Sequence, residues 1–281
     1  MKTAQTIQEA RELCRAHRAR QARIGLVPTM GALHEGHLAL VRAARGKADV
    51  VVVSIFVNPT QFGPNEDFAK YPRSFERDSE LLERAGVDIV FAPSADEMYP
   101  SEGATWVEVQ GLSDRLCGKS RPGHFRGVAT VVSKLFHIVE PDVAFFGQKD
   151  AAQVAIIRRM VRDLNLPVAI EVCPTVREPD GLAMSSRNAY LGPAERKSAL
   201  VLYRSLIRAK TMFDAGERSS EKLLAAAKEQ FAGEPRVRLD YFEIVDPETL
   251  ESQSVITQGA LAAVAAFVGT TRLIDNILLG T

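Results

Sequence analysis

Two histidines three residues apart, in the run His34-Glu35-Gly36-His37, follow a short apolar stretch at residues 24–27 and open a helical pattern. Side chains at that spacing share one helix face. The first turn of a helix also offers free N–H groups and the positive end of a dipole of about half a charge. Imidazoles placed there can donate hydrogen bonds to phosphate oxygens and stabilise charge building on a departing pyrophosphate. Gly36 leaves the backbone open to a nucleotide. A zincin-type metal site needs histidines four apart with a Glu beside the first, so no metal-ligating set is expected.

Three further clusters can bind the rest of such a reaction. Gly147-Gln148-Lys149-Asp150 follows the apolar run 143–146. Lys149 there is a mobile positive charge for a phosphate, Asp150 is placed to cap the next helix, and Gln153 lies one turn in. Met184-Ser185-Ser186-Arg187-Asn188 follows Asp180-Gly181, and its two hydroxyls and guanidinium can wrap a triphosphate on a loop able to close. Asn58-Pro59-Thr60-Gln61-Phe62 follows the run 50–57, and its amides suit a small hydroxylated acid. Taken singly, each has an ordinary reading: cap histidines, a solvated lysine, a polar linker, a turn with satisfied amides. What distinguishes them is that all four fall at one predicted edge.

That edge is set by the elements between them. The runs 24–27, 50–57, 88–92, 143–146 and 168–172 are short, apolar and rich in β-branched residues, as strands buried on both faces are. A Thr6/Glu9 capping box opens a first helix, and helical spacing recurs at 75–84, 128–138 and 151–164,. Alternation of this kind predicts a doubly wound, Rossmann-like parallel sheet, whose ligands bind at the carboxyl ends of the strands. Beyond residue 176 the pattern changes to helices at 193–215 and 219–232 and strands at 238–245 and 262–269. A smaller α+β domain is expected over 177–281, after a sheet domain over 1–176.

Composition excludes several classes. The 281 residues carry 35 Lys plus Arg against 35 Asp plus Glu, so no overall field draws the chain to nucleic acid or a membrane surface. The longest apolar run, 260–268, is about half of the roughly 20 residues a membrane helix needs. Cys14, Cys117 and Cys173 show no CxxC spacing, and the first residues lack the apolar core of a signal peptide,. A reducing, cytoplasmic setting is expected.

Together these clusters resemble the pantothenate synthetases, or pantoate:β-alanine ligases, of the nucleotidyltransferase superfamily with a His-x-Gly-His signature. The resemblance is carried by Pro28-Thr29-Met30-Gly31-Ala32-Leu33-His34-Glu35-Gly36-His37, Phe56-Val57-Asn58-Pro59-Thr60-Gln61-Phe62, Pro122-Gly123-His124-Phe125-Arg126-Gly127-Val128, Phe145-Phe146-Gly147-Gln148-Lys149-Asp150 and Asp180-Gly181-Leu182-Ala183-Met184-Ser185-Ser186-Arg187-Asn188, in family order. It covers most of residues 24–190; further on, only pieces such as Arg272-Leu273-Ile274-Asp275-Asn276 are familiar.

The resemblance implies that ATP is a substrate lying along Met30, Gly31, Ala32, Leu33, His34, Glu35, Gly36 and His37, then Gly147, Gln148, Lys149, Asp150 and Val176, then Met184, Ser185, Ser186 and Arg187. It makes His37 the acid or charge-stabilising residue, with His34, Lys149 and Arg187 supplying compensating potential, and gives pantoate to Gln61, Gln153 and Asn58. It further implies Mg2+ carried by the triphosphate, with Asp78 a candidate for contact through water, a pantoyl-adenylate intermediate, attack by β-alanine, and a homodimer. Two alternatives stay open at this point. Another nucleotidyltransferase of the superfamily would keep the histidine motif without the acid-binding amides, and a nucleotide-sensing or RNA-binding module would keep the fold without the chemistry.

Overall fold

Four valines in succession, Val50, Val51, Val52 and Val53, are all buried. They form the middle of a six-stranded parallel sheet in the computed structural model, which describes every residue except Asn65, Glu102 and Thr281. The strands are β1 (Lys2–Ala4), β2 (Ile24–Thr29), β3 (Val50–Ile55), β4 (Ile89–Phe91), β5 (Val143–Gly147) and β6 (Ala169–Cys173). Their spatial order is β1-β4-β3-β2-β5-β6. The chain runs outward from β2 through β3 to β4, then returns to place β5 on the other side of β2. The order reverses between β2 and β5, and a crevice opens beyond their carboxyl ends.

Period-two alternation sends the strand side chains to two separate cores. Ile24, Leu26, Val50, Val52 and Phe146 pack with α1 (Ile7–Arg18), and on the same face lie residues of α6 (His124–Val139) and α7 (Ala151–Asp163). Val27, Val51, Val53 and Phe145 pack on the opposite face with α2 (Glu35–Arg45) and α3 (Phe75–Arg84). Two short helices, α4 (Ala95–Met98) and α5 (Cys117–Ser120), lie between α3 and α6 in the chain. The expected doubly wound sheet is the one observed. The capping box is present, with Glu9 N–H donating to Thr6 Oγ1 and Glu9 Oε2 accepting the Thr6 N–H.

After β6 the chain forms α8 (Pro193–Ser198), α9 (Leu200–Asp214) and α10 (Ser220–Glu229), then an antiparallel sheet of β7 (Val237–Val245), β8 (Ala260–Val268) and β9 (Thr271–Leu279) in that order. One continuous helix was expected over 193–215. The structure divides it at Ala199, where Leu202 N–H bonds Ala199 O, a tighter three-residue step. Two strands escaped the sequence reading: β1, which is only three residues long, and β9. Strand β8 is buried on both faces. Ala262, Val264 and Ala266 pack with α9 and α10, while Leu261 and Ala263 join the core beneath the parallel sheet. Among the described residues, no helix is long and apolar enough to cross a membrane.

Candidate active site

Strand β2 ends at Thr29, and the chain then turns through Gly31 and Ala32, both in the left-handed region (φ +79° and +51°). A Cβ on Gly31 would stand 3.0 Å from Asp78 Oδ2, so the turn needs glycine there. Asp78, on α3 and 1% exposed, accepts the backbone N–H groups of Ala32 (2.7 Å) and Leu33 (2.8 Å), one on each oxygen. Asp78, the candidate for contact with magnesium through water, thus has one acceptor site of each oxygen committed to the loop and stands off the cavity wall.

The loop delivers His34 as the N-cap of α2. Its Nδ1 accepts the Gly36 N–H (3.1 Å), and its own N–H donates to His37 Nδ1 (3.3 Å). The ring centroids are 4.1 Å apart. With both Nδ1 atoms accepting, each neutral imidazole carries its proton on Nε2. Burial pushes His34 down to about 4, with help from the Lys149 charge, and burial pushes His37 down to about 3, with help from His34 and Lys149. Both rings are therefore neutral donors at pH 7. A Cβ on Gly36 would meet the His34 ring at 2.8 Å. Gly36 nonetheless lines the crevice, beside that ring.

Across the crevice β5 ends at Gly147. Lys149 Nζ lies 3.3 Å from Asp150 Oδ1, and Asp150 makes no capping bond to α7. The expected cap is replaced by this ion pair. Gln148 Nε2 donates to Asn276 Oδ1 (3.0 Å), and Asn276 Nδ2 donates back to the carbonyls of Gln148 (3.0 Å) and Lys149 (2.8 Å).

A third segment comes in between the two sheets. Met184 N–H donates to Val176 O (3.0 Å), and Arg177 pairs with Ala183 in a short antiparallel bridge. Arg187 donates from Nε and Nη2 to the two oxygens of Asp67, each at 2.9 Å, and its guanidinium lies 5.8 Å from the Tyr71 ring centroid. The Asp67 pair offsets burial and keeps Arg187 firmly charged. Ser186 Oγ is 3.2 Å from Tyr71 Oη.

The amide cluster sits on a 3-10 turn, Pro59–Gln61. Asn58 is 1% exposed. Its Oδ1 accepts from Thr60 N–H (3.3 Å) and Oγ1 (2.9 Å), and its Nδ2 donates to Gly127 O (3.2 Å) and Gln61 Oε1 (3.1 Å). Asn58 therefore builds the turn that presents Gln61. Behind the turn, His124 Nε2 accepts from Arg121 (2.9 Å) and Nδ1–H donates to Gln61 O (2.8 Å), while Arg121 grips Glu66 at 2.6 and 2.7 Å. Burial pushes His124 down to about 3. A Cβ on Gly127 would stand 2.3 Å from Thr60 O, which explains the glycine: α6 lies directly against the turn.

These segments surround one cavity of about 920 Å³. Its wall includes Met30, His34, Gly36, His37, Asn58, Gln61, Gly147, Lys149, Asp150, Gln153, Val176, Met184, Ser185, Ser186 and Arg187. Five expected ATP contacts stand off the wall. Gly31, Ala32 and Leu33 form the loop behind it, Glu35 pairs with Arg42 outside, and Gln148 is engaged by Asn276. Among the described residues, no group of three or more His, Cys, Asp or Glu is placed to hold a metal. Asp67, Asp78 and Asn276 were missed as site builders, because each acts on a segment far away in the chain.

A helix start, a lysine and an arginine converging on the switch point of a parallel sheet are what a nucleotide-binding α/β protein uses to receive a polyphosphate. The adjoining amides leave room for a second, smaller polar molecule. The family model described as pantoate-beta-alanine ligase matches residues 2–278, and the chain belongs to that family. A pantothenate synthetase of Acidobacterium capsulatum is 61% identical over 291 residues, covering 100% of this chain and 97% of the relative. One from Thermotoga neapolitana is 59% identical over 280 residues, covering 100% of both. The crystal structure of pantothenate synthetase from Thermus thermophilus superposes with a TM-score of 0.94 at 50% identity over 99% of each chain. That of the Francisella tularensis ligase, complexed with beta-gamma ATP and beta-alanine, gives 0.81 at 36% identity over 99% of this chain and 97% of that one.

Proposed function

We propose that the protein condenses pantoate with β-alanine at the expense of ATP, giving pantothenate, AMP and pyrophosphate. The observation that carries this is the opening of Gln61 and Gln153 onto the same cavity as His34, His37 and Lys149. An acid held by the amides then lies beside a nucleotide held by the cations. Family membership and the ATP- and β-alanine-bound relative support it.

A carboxylate is a poor acyl donor because its leaving group would be oxide. In the first step a pantoate carboxylate oxygen attacks the α-phosphorus and the bond to pyrophosphate breaks, giving pantoyl adenylate. In the second the β-alanine amine attacks the acyl carbon, AMP leaves, and the amine proton is lost. Nε2–H of His37 and of His34 donates to phosphate oxygens as charge accumulates, and Lys149 and Arg187 supply fixed positive charge. Neutral imidazoles suit the donor role at pH 7. Gln61 and Gln153 orient pantoate, a contribution of positioning. Magnesium bound to the triphosphate would supply charge neutralisation of the pyrophosphate leaving group.

In this reading residues 1–176 form the domain that binds ATP and pantoate, and 177–281 form a smaller lid domain that keeps water from the adenylate. A homodimer and a cytoplasmic setting belong to the same reading, and three buried free thiols suit a reducing compartment,.

The test is release of AMP and pyrophosphate from Mg-ATP with pantoate alone, then with β-alanine added. Enzyme-bound pantoyl adenylate before the amine, and pantothenate after it, is the expected result. ATP turnover indifferent to both acids would refute the reading.

A further inference from the structure

Neighbouring residues of β9, Asp275 and Asn276, are 3% and 4% exposed and leave the strand on opposite faces, Asp275 on the side of Leu273 and Leu279 and Asn276 on the side of Ile274 and Leu278,. Asn276 closes a ring of three hydrogen bonds with the Gln148–Lys149 segment, using the Gln148 side chain and both carbonyls. Asp275 holds Arg177 through two bonds, at 2.6 and 2.9 Å, and Arg177 in turn donates to Gly181 O (3.0 Å) and stacks 4.4 Å from the Tyr203 ring centroid. Asp275 Oδ1 also accepts the Asn276 N–H at 2.7 Å. One strand of the second sheet thus grips two cavity segments, one at the end of β5 and one in the hairpin that links the two sheets.

We propose that Asn276 is a positioning residue for Lys149, and that Asp275, through Arg177, positions the hairpin carrying Val176 and Met184. A buried amide with three bonds to one short segment fixes that segment's backbone, and with it the direction in which the Lys149 side chain leaves. A buried carboxylate paired twice with one arginine fixes the hairpin in the same way. Since the two residues are adjacent, the strand sets the distance between the two halves of the phosphate site. Displacement of a positioned group by about 1 Å can cost a hundredfold in rate.

This rests on the proposed ligase reading, in which Lys149 serves adenylate formation. The experiment is a double-mutant cycle in the full chain with Asn276→Ala and Lys149→Ala, following single-turnover adenylate formation per active site and the KM values for ATP and pantoate. Asn276→Ala is expected to slow adenylate formation by about 10- to 100-fold, leave the pantoate KM within about twofold, and add little once Lys149 is already alanine. A merely structural role would reduce the fraction of active molecules without changing the rate per site. That result, or full additivity with Lys149→Ala, overturns the inference. If Asn276→Ala does not fold, Asn276→Ser, which keeps a hydroxyl in the buried position, runs the same cycle against the same outcomes. Absence of adenylate in the unsubstituted protein would instead sink the ligase reading, so the two failures are distinguishable.

Discussion

The backbone N–H of His34 donates to Nδ1 of His37 at 3.3 Å, and this bond settles which nitrogen of His37 faces the cavity with a proton. The ring is a neutral donor, held by its own helix start. Losing one such group costs about 10² to 10⁴ in rate. His37→Ala should slow adenylate formation by that factor in single-turnover assays, with the ATP KM changed far less. An unaltered rate would remove His37 from the chemistry.

Stability should depend on pH through the buried histidines. His37 and His124 are both pushed down to about 3, whereas an unfolded histidine titrates near 6.5. Between those values the unfolded chain binds more protons, so stability is complete above about pH 6.5 and falls as pH drops toward 3, by about 1.4 kcal/mol per pH unit for each group. Urea midpoints at pH 7.5 and 5 should show the decline, and His124→Gln should make it shallower. An equal decline in that variant would contradict the assignment.

Asp78→Ala should strip the partners from two buried N–H groups, those of Ala32 and Leu33. Charged hydrogen bonds of this kind contribute about 1.5 to 3 kcal/mol each. A loss of about 3 to 6 kcal/mol in urea unfolding is expected, together with a raised KM for ATP. Weakened magnesium dependence with unchanged stability would instead return Asp78 to the metal.

Gln61→Ala should weaken pantoate binding more than ATP binding. Gly127→Ala, by driving a methyl against Thr60 O at 2.3 Å, should displace the same turn and show the same selectivity from a residue that never meets pantoate. Calorimetric titration of each ligand separates the cases; equal losses for both ligands would contradict the assignment of Gln61.

Much of this was legible in the sequence because the signals were local. The helix at 75–84 is observed over the same residues, and the parallel strands announced themselves by β-branched runs. The four chemical clusters were legible for the same reason, each being a short motif at the end of a strand or in a loop. Strand β9 was not, because Asp275 and Asn276 interrupt its apolar pattern at buried positions. Asp78, Asp67 and Asn276 were unreadable as partners of Ala32, Arg187 and Gln148, which lie 46, 120 and 128 positions away. Spacing along a chain reports the face of a helix; it carries no record of which distant loop a carboxylate will meet.

Strand β8 is a party wall. Its residues serve one interior on one side and another on the other, so the core on the α6 and α7 face of the parallel sheet is shared between the two sheets. A calorimetric scan should therefore show one cooperative melting transition for the whole chain. Substitutions that enlarge an alanine on one side of β8 will be tolerated only with a matching reduction across it. Any closing motion over the substrates is then a slight rocking about that wall, since wider travel would open the shared interior to water.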